Sequence, residues 1–275
     1  MPELPEVEHA RRLVARVAEG RRIARVRCAR DPRVIPAGAA KVQRALAGAR
    51  VEHARRHGKW LWLELDRAPH PLFHFGMTGG FHTRGAEALP LKTAPKPRGA
   101  GWPPPHAKLE LVLDDGRELA FVNVRRFGRV LLRDRPEEEP PISELGFDPL
   151  EAMPSPARFA ALLGARRGTL KGLLLDQSFA AGVGNWIADE VLYQARLDPR
   201  RAVGSLSPAE VRRLREAIRR VVRTAVDLDA DADRYPRSWL FHHRWEKDTR
   251  TARGERVLHA TIAGRTTAWV PSRQR

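Results

Sequence analysis

Residues 57–79 read HGKWLWLELDRAPHPLFHFGMTG, and this stretch decides the fold class of the first half of the chain. It holds two short runs of aromatic and aliphatic residues, KWLWLEL (59–65) and LFHFGM (72–77), separated by Asp, Arg and Pro. Runs of this length between turn-forming residues are typical of β-strands. The stretch therefore predicts two short strands.

Similar runs continue on both sides, from residue 21 to about residue 134. They are RIARVRC (22–28), VEHARR (51–56), KLELVL (108–113), RELAFVNV (117–124) and GRVLLR (128–133). The tripeptide Asp114-Asp115-Gly116 is a strong hairpin signal. An antiparallel β-sandwich or barrel accounts for this series. Residues 84–105 are rich in proline and predict a long loop, which we expect to be mobile.

Helical spacing of apolar residues appears outside this β region. Residues 5–19 predict an N-terminal helix that ends at Gly20. Beyond the acidic, proline-rich break at 135–141, further helices are predicted near 156–163, 168–176, 186–196 and 207–226. Ser207, Pro208 and Glu210 supply the start signals of the last helix.

The C-terminal residues return to strand-like runs, RVLHATI and RTTAWVP, around the turn Ala263-Gly264. We therefore predict an α+β protein whose N-terminal β-sandwich carries an N-terminal helix and is followed by helices and a β-hairpin. The predicted boundaries are 1–134 for the β domain, 135–155 for a linker, 156–236 for the helical domain and 237–275 for the hairpin.

The charge of the chain narrows the class of partner. The chain contains 50 Lys and Arg and 33 Asp and Glu, which gives a net charge of +17. Such a chain attracts polyanions, and nucleic acid is the commonest, with an anionic membrane surface as the rival. No stretch approaches the roughly 18 apolar residues that a membrane span requires. The single Cys28 and the lack of a signal-peptide pattern favour an intracellular protein.

The N-terminus could carry chemistry. Initiator methionine is usually removed before a residue as small as Pro2, which leaves a secondary amine with a pKa of about 8. Such an amine can attack a sugar C1′ and form an iminium, and the neighbouring Glu3 could move protons. These few letters are also an ordinary protein start, and alone they decide nothing.

Six blocks in order resemble the Fpg/Nei family of DNA glycosylase/AP lyases, the formamidopyrimidine-DNA glycosylases. They are MPELPEVE (1–8), HGKWLWLEL (57–65), HFGMTG (74–79), RRFG (125–128), GVGNWIADEVLYQARLDP (182–199) and GRTTAWVP (264–271). The resemblance implies a β-sandwich, a helix–two-turn–helix domain and a finger-like hairpin. It implies no cofactor, and double-stranded DNA with oxidised bases or abasic sites as the partner of a monomer.

The resemblance also assigns catalytic roles. Pro2 matches the Schiff-base nucleophile, Glu3 the acid/base, Glu6 a supporting carboxylate and Lys59 the catalytic lysine, which holds a phosphate or polarises the lesion. A lone lysine at a strand start would otherwise be read as a solvated side chain. The expected reaction is excision of an oxidised purine, followed by β- and δ-elimination.

DNA contacts follow from the same match. Asn185, after the turn-forming Gly182 and Gly184, would cap the next helix and bind the lesion phosphate, with Lys171 as the cation on the preceding helix. His74 is matched to a phosphate.

A flipped base leaves a gap in the duplex, and an apolar wedge with a planar cation suits this gap. The resemblance gives these roles to Met77, Arg125 and Phe127, although spacing alone favours core positions for Met77 and Phe127.

The finger departs from the family pattern. Bacterial members usually bind zinc there through four cysteines, and residues 237–275 contain none. His242, His243 and His259 alone make a poor structural zinc site, so we predict no metal. The segment resembles the zincless finger of plant-type members, with Arg265 as the finger arginine that reaches DNA. Apolar packing by Trp239, Phe241, Trp245 and Trp269 is expected to replace the metal.

Three alternatives stay open. A Nei-like enzyme would prefer oxidised pyrimidines, although Met77, Arg125 and Phe127 favour the Fpg branch. A protein that kept the fold without its chemistry would bind damaged DNA only, although Pro2, Glu3 and Lys59 are all present. A basic RNA-binding or ribosome-associated protein would explain the charge but not the order of the six blocks.

In this family the lesion preference depends on a loop that covers the flipped base. The segment before Trp239 is short for such a loop, so we expect poor handling of 8-oxoguanine. Depending on the host, the enzyme would work in a bacterial nucleoid or a eukaryotic nucleus.

Overall fold

The computed structural model describes residues 2–85 and 101–275. The chain divides into two compact units, Met1–Glu144 and Leu145–Arg275. This division lies inside the predicted linker, residues 135–155. Most of the predicted proline-rich loop at 84–105 falls outside the described residues.

The first unit begins with helix α1 (Leu4–Ala18). Its start is fixed by a capping box, in which the Glu6 carboxylate accepts a hydrogen bond from the Glu3 backbone N–H at 3.0 Å. Leu4, Val7 and Val14 are fully buried along one face of the helix. The helix predicted at 5–19 is therefore present, shifted by one residue.

Two antiparallel sheets follow within the described part of this unit. One has the strand order β1-β6-β7-β5 and the other the order β2-β3-β4-β8. The strands are β1 (Ile23–Cys28), β2 (Val51–His57), β3 (Trp60–Leu65), β4 (His70–His74), β5 (Gly80–Thr83), β6 (Ala107–Leu113), β7 (Glu118–Val122) and β8 (Arg129–Arg133). This confirms the predicted N-terminal β-sandwich.

An aromatic cluster joins the two sheets. Phe73 of β4 packs on Phe81 of β5 and Phe121 of β7, with ring centroids 4.9 and 5.4 Å apart. All three side chains are buried. Because each strand turns alternate residues inward, these phenylalanines fill the space between the sheets.

Three features of this unit differ from the prediction. A short helix α2 (Ala39–Leu46) interrupts the β series, and it buries Val42 and Leu46 one turn apart. Strand β5 was not predicted. Strand β4 ends at His74, so Met77 lies in a loop and not in the strand.

The second unit contains the helices α3 (Pro156–Gly164), α4 (Leu170–Leu175), α5 (Asn185–Ala195) and α6 (Pro208–Asp227). The predicted capping box of α6 is present, with Ser207 and Glu210 bonding to each other's backbone N–H groups. Helix α5 is buried nearly all round, which makes it the centre of the unit.

The predicted hairpin consists of β9 (Leu258–Ile262) and β10 (Arg265–Trp269), paired in antiparallel register. Ala263 and Gly264 have φ values of 49° and 71°, as two-residue hairpin turns require. In the part of the chain that the structure describes, no helix has the length and apolar composition needed to cross a lipid bilayer.

Candidate active site

The N-terminal residues lie in a buried setting. Pro2 is buried and Glu3 is only 2 % exposed. Burial, with the nearby Glu3 carboxylate second, raises the pKa of Glu6 to about 7. Glu6 is therefore partly protonated near pH 7, and its Oε2 accepts a hydrogen bond from the Glu3 N–H. The structure thus brings Glu3 and Glu6 together at the start of α1, beside Pro2.

A buried ion pair ties α1 to the turn that carries Lys59. Arg56 of β2 donates to Glu8 of α1 at 3.1 Å, and neither side chain is more than 5 % exposed. The same guanidinium donates to the Gly58 carbonyl at 3.2 Å. Lys59 follows and is buried. Sequence reasoning missed this pair, because its two members are 48 positions apart.

His74 lies beside the start of β3. Its ring packs on Trp60, with centroids 4.9 Å apart, and the two residues are register partners. Burial, then the positive charges of Lys59 and Arg129, lower the pKa of His74 to about 4. The imidazole is therefore neutral at pH 7. Because Nδ1 accepts from the Gly76 N–H at 3.2 Å, the proton resides on Nε2, which is left as a hydrogen-bond donor.

The residues matched to the wedge lie on two loops. Met77 belongs to residues 75–79, here called the facing loop, and Arg125 and Phe127 to residues 123–128, here called the wedge loop. Phe127 is 41 % exposed, which excludes a core position, whereas Met77 is half-buried. The Arg125 guanidinium lies 5.2 Å from the centroid of the Phe127 ring.

The two loops touch through their backbones. A Cβ atom on Gly76, whose φ is +62°, would lie 2.5 Å from the carbonyl carbon of Phe127. The buried Asn123 side chain bridges the loops: it donates to the Phe75 carbonyl and accepts from the Gly128 N–H, both at 3.0 Å. The structure therefore holds the Met77 and Phe127 loops at a fixed separation.

Asn185 of the second unit differs from its predicted position. Helix α5 begins at Asn185, and its N-cap residue is Gly184, which makes no side-chain cap. The expectation that Asn185 caps the helix is therefore wrong. Its amide donates instead to the Thr266 carbonyl at 2.9 Å, and this attaches the start of α5 to the hairpin.

Lys171 also lies differently from expectation. Its side chain is fully buried, donates to the Asn185 carbonyl at 2.9 Å and forms an ion pair with Asp189. Burial of both partners is stable only because each charge is satisfied. In this structure Lys171 holds the first residue of α5 through its carbonyl, where the sequence suggested direct contact with phosphate.

The Asp189 carboxylate accepts from three separate partners, and sequence reasoning missed this role. Besides Lys171, its carboxylate accepts from the Arg244 guanidinium at 2.7 Å and from the Ala268 backbone N–H at 3.1 Å. The adjacent Glu190 accepts from the Phe241 N–H at 2.9 Å, and burial raises its pKa to about 7. The signal that was overlooked is a pair of acidic residues within an otherwise apolar helix.

The predicted finger arginine, Arg265, stands exposed at the start of β10. His242 and His259 each direct Nε2 at a backbone carbonyl, that of Tyr235 and of Arg244, both at 3.1 Å. Since a carbonyl only accepts, these nitrogens donate N–H groups and are not presented as metal ligands. Among residues 2–85 and 101–275, no group of three or more His, Cys, Asp or Glu has a metal-binding arrangement.

Aromatic packing supports the finger. Phe241 lies at the centre of a cluster with ring centroids 5.0 to 5.7 Å away. Its neighbours are Trp186, Tyr235, His242 and Trp245. Trp239 joins through Tyr235, whereas Trp269 packs under the Arg200 guanidinium, 4.2 Å from its ring centroid.

Two family models match the chain. Residues 1–130 match the formamidopyrimidine-DNA glycosylase N-terminal domain, and residues 145–236 match the formamidopyrimidine-DNA glycosylase H2TH domain. A formamidopyrimidine-DNA glycosylase of Arabidopsis thaliana is 42% identical over 277 residues, covering 100% of this chain and 71% of the relative. One of Acidiphilium cryptum is 38% identical, covering 90% of this chain and 86% of the relative.

The fold is shared with solved structures of DNA complexes. A Lactococcus lactis Fpg bound to DNA with an abasic site superposes with a TM-score of 0.81 at 24% identity, covering 99% of each chain. MutM in complex with carbocyclic 8-oxo-G containing DNA gives a TM-score of 0.82, also at 24% identity, over 100% of each chain. With both family models in order and a curated relative matched along the whole chain, this protein belongs to the formamidopyrimidine-DNA glycosylase family of base excision repair glycosylases.

Proposed function

We propose that the chain is a bifunctional DNA glycosylase/AP lyase that excises oxidised purines through a Schiff base on Pro2. The observation that carries this assignment is the buried Pro2-Glu3 pair at the start of α1, with Glu6 bonded to the Glu3 backbone. A nucleophile and an acid/base must lie side by side and away from bulk water to act on one sugar.

The chemistry starts once Met1 has been removed. The Pro2 nitrogen forms a bond to C1′ of the damaged nucleotide, the glycosidic bond breaks and the base leaves with a proton. The C1′–O4′ bond then breaks, O4′ takes up a proton, and the opened sugar is held to Pro2 as an iminium. The iminium acidifies the C2′ hydrogen, and removal of that proton breaks the C3′–O bond. Removal of a second proton, from C4′, then breaks the C5′–O bond. Water finally hydrolyses the iminium and returns the amine. Glu3 is the group we assign to these proton transfers.

Cationic and polar residues in each of the two units donate hydrogen bonds to the DNA strands. Lys59 and the neutral His74 supply donors in the first unit. Asn185 and Arg265 supply them in the second, and each amide NH₂ has two N–H groups, so the contact from Asn185 to Thr266 leaves it a donor for phosphate. Met77, Arg125 and Phe127 fill the gap left by the flipped base. The substrate is duplex DNA in the nucleoid of a bacterium or the nucleus of a eukaryote.

Borohydride trapping tests the proposal. The purified protein is mixed with duplexes carrying a formamidopyrimidine, 8-oxoguanine, an oxidised pyrimidine or an abasic site, and the iminium is reduced to a stable adduct. We expect adducts with abasic and formamidopyrimidine DNA, and peptide mapping should place the bond on Pro2. Preference for the oxidised pyrimidine would instead support the Nei-like alternative.

Three variants complete this test. Pro2→Gly should slow trapping strongly, and an N-terminal extension that acylates the Pro2 nitrogen should abolish it. Pro5→Gly removes a nearby proline, in the first turn of α1, without altering the nucleophile, so it serves as the matched control. Adduct formation on Lys59, or binding without any adduct, would overturn the Pro2 mechanism.

A further inference from the structure

The wedge loop contains a residue in an unfavourable backbone conformation. Arg126, between Arg125 and Phe127, has a φ of +56°, in the left-handed region that non-glycine residues rarely adopt. A conformation of this kind is unfavourable and persists only when surrounding contacts enforce it. The contacts of Arg126 therefore decide the direction of its two neighbours.

Those contacts come from Asp31. The Arg126 guanidinium donates to both oxygens of the Asp31 carboxylate, at 2.9 and 3.0 Å. A two-pronged contact of this geometry fixes orientation as well as distance. Asp31 is 7 % exposed, although Arg126 itself is half exposed. The pair is thus anchored at its buried end.

Asp31 is itself held rigidly. Lys108 of β6 contacts the same carboxylate at 2.9 Å, and the Val34 N–H donates to Asp31 Oδ1 at 3.3 Å. Burial opposes ionisation of Asp31, but hydrogen bonds from Arg126 and Lys108 outweigh it and hold the pKa well below its ordinary value. The carboxylate therefore stays charged throughout the physiological range.

The turn that begins at Asp31 makes a second contact with the wedge. The Arg33 guanidinium lies 5.0 Å from the centroid of the Phe127 ring. Phe127 is therefore accompanied by two guanidiniums, those of Arg33 and Arg125. One turn thus fixes the backbone of the wedge loop through Arg126 and contacts its exposed ring through Arg33.

We propose that Asp31 is a positioning residue of the wedge: its pair with Arg126 holds Arg125 and Phe127 in the direction required to enter the duplex when the damaged base leaves the stack. The inference rests on the proposed function, because a wedge has a role only in a base-flipping enzyme. It predicts that Asp31 affects opening of duplex DNA and leaves the elimination chemistry at Pro2 intact.

The test compares two reactions in Asp31→Asn, which keeps the size of the side chain and removes its charge. Excision from a formamidopyrimidine duplex should fall on the order of tenfold to a hundredfold, the range expected when a contacting group is misplaced by about an ångström. Cleavage of an abasic site in single-stranded DNA should stay within about twofold. Discrimination among the four bases opposite the lesion should relax, because Arg125 loses its orientation.

A second variant guards against misfolding. Arg126→Gln breaks the pair from its exposed side and leaves Asp31 with Lys108, so the same selective loss is expected in a protein that folds. The matched control is Asp115→Asn, since Asp115 also contacts two arginines, Arg21 and Arg117, in the same unit. It should leave both reactions unchanged.

A double-mutant cycle separates positioning from general stability. In an Arg125→Ala/Phe127→Ala protein, Asp31→Asn should add little further loss, because both side chains that it positions are already gone. A 2-aminopurine placed opposite an abasic analogue should brighten on binding of the wild type and much less on binding of Asp31→Asn. Equal loss in both reactions, or additive effects in the cycle, overturns the positioning role. If the wild type cleaves neither substrate, the proposed function itself fails.

Discussion

Lys171 and Asp189 form an ion pair in which neither side chain is exposed to solvent. The lysine comes from α4 and the aspartate from the middle of α5, and the same carboxylate receives Arg244 and the backbone of the hairpin. In this arrangement the lysine holds the start of α5 through the Asn185 carbonyl. Its contribution to DNA binding is therefore expected to be indirect.

Lys171→Met should lower the free energy of unfolding by about 3 kcal/mol, because it leaves a buried carboxylate with one cation fewer. The log–log slope of DNA affinity against salt should stay unchanged, since no phosphate contact is removed. Urea unfolding and binding at several salt concentrations measure the two effects. Arg265→Met is the matched control with the opposite expectation. The magnitude of its log–log salt slope should fall by about 0.9, because one phosphate contact is lost, and its free energy of unfolding should stay unchanged. A smaller slope for Lys171→Met would assign the lysine to phosphate after all.

Glu190 should make stability depend on pH. Its pKa is about 7 in the folded protein and about 4.5 when unfolded, so between these values the folded state holds a proton that the unfolded state has released. Stability therefore falls as pH rises from about 4.5 to about 7, by on the order of 3 kcal/mol. Glu190→Gln keeps an acceptor for the Phe241 N–H and should remove this contribution, which leaves only the similar one from Glu6. Unfolding curves between pH 4.5 and 8 with the same slope in both proteins would contradict the assignment.

Glu3→Gln should separate the two halves of the reaction. The amide preserves the shape of this buried side chain but cannot exchange protons, so removal of an oxidised base should slow by about 100-fold or more. Cleavage of DNA that already contains an abasic site should fall by less than about tenfold. Single-turnover rates on the two substrates decide this, and an equal loss on both would argue for a structural role.

The finger should need no zinc. We expect less than stoichiometric zinc by elemental analysis of the purified protein, and unchanged activity and unfolding after treatment with a chelator. A metal-held finger behaves oppositely, because its binding energy is folding energy. One equivalent of zinc, with activity lost on chelation, would return His242, His243 and His259 as ligands.

Arg265→Ala should weaken binding to lesion duplexes by about 1.5–3 kcal/mol, the usual contribution of a hydrogen bond to a charged group. The side chain is exposed in the free protein, so thermal unfolding should not change. Fluorescence anisotropy with an abasic-analogue duplex measures the loss. Full affinity in this variant would show that Arg265 of the hairpin does not contribute to DNA binding.

Much of the fold was predictable because its signals are local. Alternation of apolar residues marks most strands, and the capping residues Ser207 and Glu210 mark α6. The missed elements are short: β5 has only four residues with Phe81 as its single buried side chain, and α2 has eight residues. Elements of this size are set by the sheet or core they pack against, which a local pattern does not contain.

The same contrast between local signals and tertiary contacts applies to the residues of the site. Glu3 and Glu6 are three positions apart, so their pairing follows from the start of one helix. The partners of Asp189 lie 18, 55 and 79 positions away, and those of Asp31 as far as 95. Distances of this kind depend on tertiary folding, and for Lys171 and Asn185 they changed the expected contacts. The family resemblance pointed to residues that are expected to contact DNA but not to the residues that hold them in place.

The finger contains no sulfur atom, since neither cysteine nor methionine occurs in residues 237–275. A Cys₄ finger exposes four thiolates that peroxide can oxidise, and this finger has none. The aromatic and charged side chains that pack it do not undergo the stepwise oxidation of cysteine. The lone Cys28 has its pKa raised to about 11 by burial, which keeps it in the unreactive thiol form. We therefore expect the hairpin to retain its shape under the oxidative stress that generates the lesions, a condition in which a thiol-based finger would lose its metal.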